Sequence, residues 1–153
     1  MKLIMIVFLL VFMNGCITLL PKCDIKELCH YGSFYDSVTP QLQQLNLEKL
    51  NYKDQVAVLI YGVKYRHHMP YNIVDALKTR DPSILPLLIG MVERYSSLYT
   101  RKFAIDICES IIAHHPEVES DSRVAQFIME SKKIVLQEKI KADKITKDYY
   151  EKH

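Results

Sequence analysis

An all-α fold is predicted by this sequence, on three observations. From about residue 53 onward, apolar residues recur at intervals of three and four, the spacing of one buried helix face. Breaks at Met69-Pro70, Asp81-Pro82 and Pro116 cut the chain into helix-sized segments, because proline ends helices or sits in their first turn. No stretch alternates apolar and polar residues well, and four glycines are too few for a loop-rich β protein.

Taken in order, residues 41–50 hold Leu42, Leu45, Leu47 and Leu50, partly helical in spacing. Residues 53–68 place Val56, Leu59, Ile60, Val63 and His67 on one stripe. Gly62 and the β-branched residues would also suit a strand, but strands rarely exceed about ten residues, so length decides for a helix. Asn72 opens a short helix to Thr79, with Ile73, Val74 and Leu77 inward. Asp81 caps the next helix and Pro82 takes its first position; its stripe is Ile84, Leu87, Leu88, Met91, Val92 and Tyr95. Pro86 has no N–H to give an ongoing helix, so a kink or a restart is expected there. Thr100 is the expected cap of a helix facing inward with Phe103, Ala104, Ile107, Cys108, Ile111 and Ile112. Ser120 or Asp121 starts the last helix, where Val124, Phe127, Ile128, Ile134 and Val135 pack. Residues 138–153 read as a charged, solvated helix end that frays.

The first fifteen residues form an export signal. Lys2 precedes an unbroken apolar run from Leu3 to Met13, and Asn14-Gly15 break it before Cys16. The run is too short to span a bilayer, which takes roughly 20 apolar residues. The junction Met13-Asn14-Gly15-Cys16 resembles the lipobox of bacterial lipoproteins, with Met13 and Asn14 standing where the family prefers Leu and then Ala or Ser. That resemblance implies cleavage before Cys16, lipidation of its thiol, and a membrane partner reached through that lipid. Ile17, rather than Asp, leans towards the outer membrane by the same resemblance. Three other readings compete: ordinary signal cleavage, a eukaryotic secretory signal, or an uncleaved anchor running on through Ile17, Leu19 and Leu20.

The expected organisation is a signal peptide at 1–15, a lipid-anchor tether at 16–40, a helical domain at 41–137 and a charged helical tail at 138–153. Within it, the stretch from Ile73 to His115 resembles one unit of the HEAT or armadillo type: a short helix, Asp81-Pro82, an apolar helix with Leu87-Leu88, a turn and a second amphipathic helix. A repeat at the period of roughly 40 residues is not visible, so a small antiparallel bundle and a short HEAT-like array both stand.

Composition narrows function. The chain has 20 Lys and Arg against 18 Asp and Glu, and the leader holds one of the cations. So balanced a charge argues against nucleic acid as a partner. With Cys16 lipidated, Cys23, Cys29 and Cys108 remain in a compartment that permits disulfides. Cys23–Cys29 is the favoured bridge, pairing with Cys108 or full reduction the alternatives; Cys108, on an apolar face, reads as a buried thiol.

No nucleophile elbow, phosphate loop, zinc-protease motif or calcium loop is present, so the expectation is a non-enzyme without a cofactor. A metal reading would use His67, His68, His114 and His115 with a carboxylate such as Glu117 or Asp121. Adjacent histidines diverge by about 100° on a helix, so neither pair chelates alone; capping of helix C-termini explains them equally. Glu117 and Glu119 suit a helix start. The tyrosines point instead to a protein partner, with Tyr61, Tyr65, Arg66, Tyr95, Tyr99 and Arg101 as the candidate face, Arg94 nearby. The functional expectation is a membrane-anchored envelope lipoprotein acting as a protein-interaction or accessory module, for instance an assembly factor or an immunity-type inhibitor. The alternatives are a small metal-binding protein or metalloenzyme, and a structural envelope spacer.

Overall fold

The structure, a computed structural model, describes residues 26–36, 39–66, 70–95 and 97–152. The leader, Cys16, Cys23, His67 and His68 lie outside the described residues. The elements are α1 (Lys26–Cys29), α2 (Gly32–Asp36), α3 (Pro40–Glu48), α4 (Tyr52–Tyr65), α5 (Tyr71–Lys78), a 3-10 turn (Pro82–Ile84), α6 (Leu85–Tyr95), α7 (Leu98–His114), a second 3-10 turn (Pro116–Ser120) and α8 (Ser122–Lys152). No strand occurs among the described residues, so the fold is all-α.

α4 is the centre. Gln55 to Ile60 are six consecutive buried residues, and a helix buried on all sides is a core helix. Its start is fixed by Asn51, whose side chain accepts from the Asp54 N–H at 2.9 Å while its amide donates to Asp54 Oδ2 at 2.8 Å. Such reciprocal caps hold a helix start by about 1 kcal/mol. Buried Gln55 donates to the Leu50 carbonyl at 2.8 Å and accepts from Arg80 Nε at 3.0 Å, so its amide is satisfied. α6 packs on α4, α5 on α3, α7 on α5 and α6, and α8 on α7.

The chain restarts near Pro86 as its missing N–H requires. Asp81 accepts from the Ser83 N–H, the 3-10 turn follows, and α6 begins at Leu85. Pro86 then occupies the second helical position, where an N–H has no partner inside the helix. The buried stripe of α6 is rotated from the expected one. Leu85, Leu88, Ile89 and Val92 are buried, whereas Leu87 is 37% exposed and Met91 and Tyr95 are only partly covered. α6 is apolar on both faces, and the neighbours, not the spacing, select which one turns inward.

Ser97, not Thr100, caps α7: its hydroxyl accepts from the Thr100 N–H at 3.1 Å, and Thr100 is buried in the first turn. α8 starts at Asp121, whose carboxylate accepts from the Arg123 and Val124 N–H groups. Its 31 residues extend about 46 Å. Only the first half is packed. Val124, Phe127 and Ser131 are buried, and Ser131 Oγ accepts from Arg101 Nη1 at 3.1 Å. Ile134, expected inside, is 37% exposed, and residues 136–151 are all exposed, although the chain remains helical to Lys152.

Within the stretch expected as tether, residues 26–36 pack onto α4. Leu28 is buried in the core, and two glycines let two tyrosines cross. A Cβ on Gly62 would lie 2.8 Å from Tyr35 Cζ, and one on Gly32 would lie 2.8 Å from Tyr61 Oη. Tyr35 thus sits in a notch of α4, and Tyr61 of α4 sits in a notch of α2. The Tyr35 hydroxyl donates to the Val58 carbonyl at 2.7 Å, and Arg66 Nη2 donates to the Gly32 carbonyl at 2.8 Å. Tyr35 and Tyr61 stack at 5.9 Å, and the Arg66 guanidinium lies 5.6 Å from the Tyr35 ring. Cys29 in this segment is disulfide-bonded; Cys108 is a free, buried thiol on α7, pushed up to about 12 by burial.

Candidate functional site

Residues 26–31, the start of α4 and the outer face of α6 enclose a groove of about 670 Å³. Its volume falls in the range of about 300–1,000 Å³ typical of binding clefts. α6 supplies Pro86, Leu87, Gly90 and Met91, with Ala57 of α4 and Leu28 opposite. Leu87 and Met91 come here because the core claims the other side of α6.

Gly90 is the distinctive residue. It lies inside α6, where glycine costs about 0.8–1.0 kcal/mol relative to alanine. A Cβ there would meet nothing within 4 Å, so neither packing nor close backbone approach demands the glycine. Its effect is to leave the groove open.

Polar groups ring the opening. Glu27 accepts from the Tyr95 hydroxyl and from Arg94 Nη2, the latter at 3.2 Å. The tyrosine's hydrogen bond, then the arginine's charge, hold the Glu27 carboxyl below its ordinary value. The Tyr31 hydroxyl donates to Asp54 Oδ1 at 2.6 Å, and burial followed by that bond raises its titration above the ordinary tyrosine range. The His30 ring lies against Tyr31 with centroids 3.8 Å apart. Lys53 completes the rim. Among the described residues it makes no hydrogen bond or ion pair, and its charge reaches Glu27 only through space.

No protein-family model, curated protein or solved structure matches this chain. The site therefore rests on its own geometry.

The six residues expected to form one partner face do not share a surface. Tyr61 and Arg66 are engaged by Gly32 and Tyr35 of α2, and Tyr65 is buried beside Tyr61. Arg101 bonds to Ser131 of α8. Tyr99 is 51% exposed, with Lys102 over its ring, and does not line the groove. Of the six, Tyr95 alone lies on the groove, beside Arg94. Gly90, Lys53 and Glu27 were missed; an isolated glycine within a strong helical stripe is the signal that marks the first.

His114 Nδ1 is 2.7 Å from the Ser110 carbonyl, and His115 Nδ1 is 3.3 Å from Glu117. Both sit at the end of α7, as the capping alternative has it. Among the described residues no group of three His, Cys, Asp or Glu side chains is placed to hold a metal. No described helix is long and apolar enough to cross a membrane.

Proposed function

We propose that this chain is a membrane-anchored bacterial envelope lipoprotein working as a non-enzymatic protein-interaction module, with the groove of α1, α4 and α6 as its contact surface. The observation that carries the reading is Gly90: an unforced helix-interior glycine facing an open, apolar-floored groove with a polar rim. An aromatic and arginine rim over an apolar floor is the composition of protein-binding patches. The anchor half of the reading is supported by the leader and Cys16. Ten residue steps separate Cys16 from Lys26, so a lipid there would hold the body within about 35 Å of the bilayer surface.

Crosslinked pull-down from cells tests the contact surface. Gly90→Trp fills the groove from within a helix that has room for it, and a partner lost in that variant but kept by Tyr99→Ala supports the reading. Equal recovery from Gly90→Trp removes the groove from the account. Cys16→Ala is expected to shift the protein from the membrane to the soluble fraction; retention at the membrane removes the lipid anchor.

The exposed half of α8 favours a second reading, a structural spacer, since a helix about 46 Å long can hold two bodies apart. A chain truncated after Gln137 that keeps its full cellular role excludes that reading.

A further inference from the structure

We infer that the distal half of α8 lies along an anionic lipid surface, with Leu136 and Ile140 entering the headgroup layer and the lysines on either side of them meeting the phosphates. The inference concerns α8 alone and needs neither the groove nor a lipid on Cys16.

Charge and apolar area are sorted around this helix. Met129, Leu136 and Ile140 fall within about 40° of one another at about 100° per residue. They face away from Val124, Phe127 and Ser131, which pack on the body, and are 66%, 58% and 59% exposed. Lys132 and Lys139 border this stripe on one side and Lys133 and Lys144 on the other, while Asp143 and Lys147 end it beyond Ile140. Over residues 131–151 the outward half of the helix sets these five lysines against Asp143 and Glu151. The inward half sets Lys141 against Glu138 and Asp148. Lys132 pairs with Glu109 at 2.5 Å and Lys147 with Glu151 at 3.7 Å, whereas Lys133, Lys139 and Lys144 make no ion pair among the described residues. The outward face therefore holds the excess of positive charge.

That composition fits a bilayer surface. Lysine stems lie along apolar area while the ammonium groups stay in the polar layer, so apolar residues flanked by lysines suit the boundary between headgroups and acyl chains. Anionic phospholipid attracts such a basic segment over a Debye length. The pattern runs along one face for about 27 Å from Met129 to Lys147, which is the geometry of a plane and not of a pocket. Glu109 and Glu119 line a hollow beside Met129, so the contact centres farther out, on Leu136 and Ile140. The body packs on the opposite side of α8 and leaves this face clear. So few apolar residues among so many charges let the helix lie on a bilayer without spanning it.

The chain contains no tryptophan, so Ile140→Trp supplies a single reporter. In the full chain mixed with phosphatidylglycerol vesicles, its emission is expected to shift to the blue and to be quenched by bromine on the acyl chains. Vesicles of phosphatidylcholine alone should give neither, and Ile145→Trp, on the inward face, should stay water-like with both. Lys133→Gln, Lys139→Gln and Lys144→Gln together are expected to weaken the titration about a hundredfold, at roughly a factor of five per lysine. All five positions are exposed, and circular dichroism checks that the variants stay folded. No shift with phosphatidylglycerol, an equal shift with phosphatidylcholine, or an equal shift in Ile145→Trp overturns the contact. A shift without vesicles that grows with protein concentration assigns the face to a second copy and overturns it as well. The reporter senses only the surroundings of residue 140, so a chain that stays with vesicles while Ile140→Trp remains water-like loses this contact and keeps the Cys16 anchor.

Discussion

Residues 26–36 and α8 are both laid onto the outside of the same helical body, and they are held by different chemistry. The N-terminal segment sinks the Leu28 side chain into the core and is otherwise fixed by hydroxyls, a guanidinium and two glycine notches. α8 is held along its first half by Val124 and Phe127, with Ser131 and the Lys132–Glu109 ion pair at 2.5 Å beside them. The first contact is directional and depends on shape at single atoms; the second depends on area and ends where the area ends. A short segment with few apolar residues docks only if each bond has its geometry. A long amphipathic helix docks wherever it finds an apolar neighbour, and continues past it.

The sharpest way to break the frame that both ends share is Leu59→Ala in α4, fully buried in the core. It is expected to cost about 2–5 kcal/mol in urea unfolding. Gly62→Ala follows: its methyl would fall on the Tyr35 ring, and overpacking of this kind costs roughly 1–3 kcal/mol. The loss should appear as faster proteolysis before residue 36 with α8 unaffected; protection of that segment would show the notch to be slack.

High pH separates the two ends next. Burial raises the Tyr35 hydroxyl above the ordinary tyrosine value of about 10, and burial and Asp54 do the same for Tyr31. The unfolded chain loses these protons first, so their contribution is complete below about pH 10 and falls as pH rises beyond it. Melting temperature should drop as pH rises from about 10 to about 12, and less so in Tyr35→Phe; Cys108→Ala serves as background, since that buried thiol acts with the same sign from lower pH. An unchanged slope in Tyr35→Phe would disconnect the hydroxyl from the effect. Gly90→Ala is expected to stabilise by about 0.4–1 kcal/mol, because the methyl meets open space and the helix gains propensity. Smallest of all is truncation after Gln137, expected to change stability by less than about 0.5 kcal/mol, since residues 138–151, which it removes, are exposed. A larger loss would mean that the distal helix packs on something.

Much of the frame is legible in the amino-acid sequence. Val56, Leu59 and Ile60, the Ile73–Val74–Leu77 stripe, the Asp81 cap and the restart near Pro86 all follow from local rules that packing did not override. The groove was not legible, for two physical reasons. On α6 a three-and-four spacing runs equally well through Leu87 and Met91 or through Leu85 and Ile89, and packing against α4, α7 and α8 decides which set is buried. The tyrosines were the second obstacle. Tyr31 and Tyr35 have the residue type of a binding surface, but their hydroxyls bond to groups 23 positions away, and Arg66 reaches the Gly32 carbonyl 34 positions away, contacts that no local pattern encodes. Thr100 gave way to Ser97 as cap because burial of its side chain placed it inside the helix.

The paired notches also constrain how this chain can change over time. Gly62 is tolerable to mutation only if Tyr35 shrinks, and Gly32 only if Tyr61 withdraws, because each glycine is shaped by a ring from the other side. Substitutions at these four positions should therefore be inherited as pairs, with single changes purged and compensated doubles retained. Drift at the N-terminal segment is in this way tied to drift at the centre of the core, although more than twenty residues of sequence lie between them.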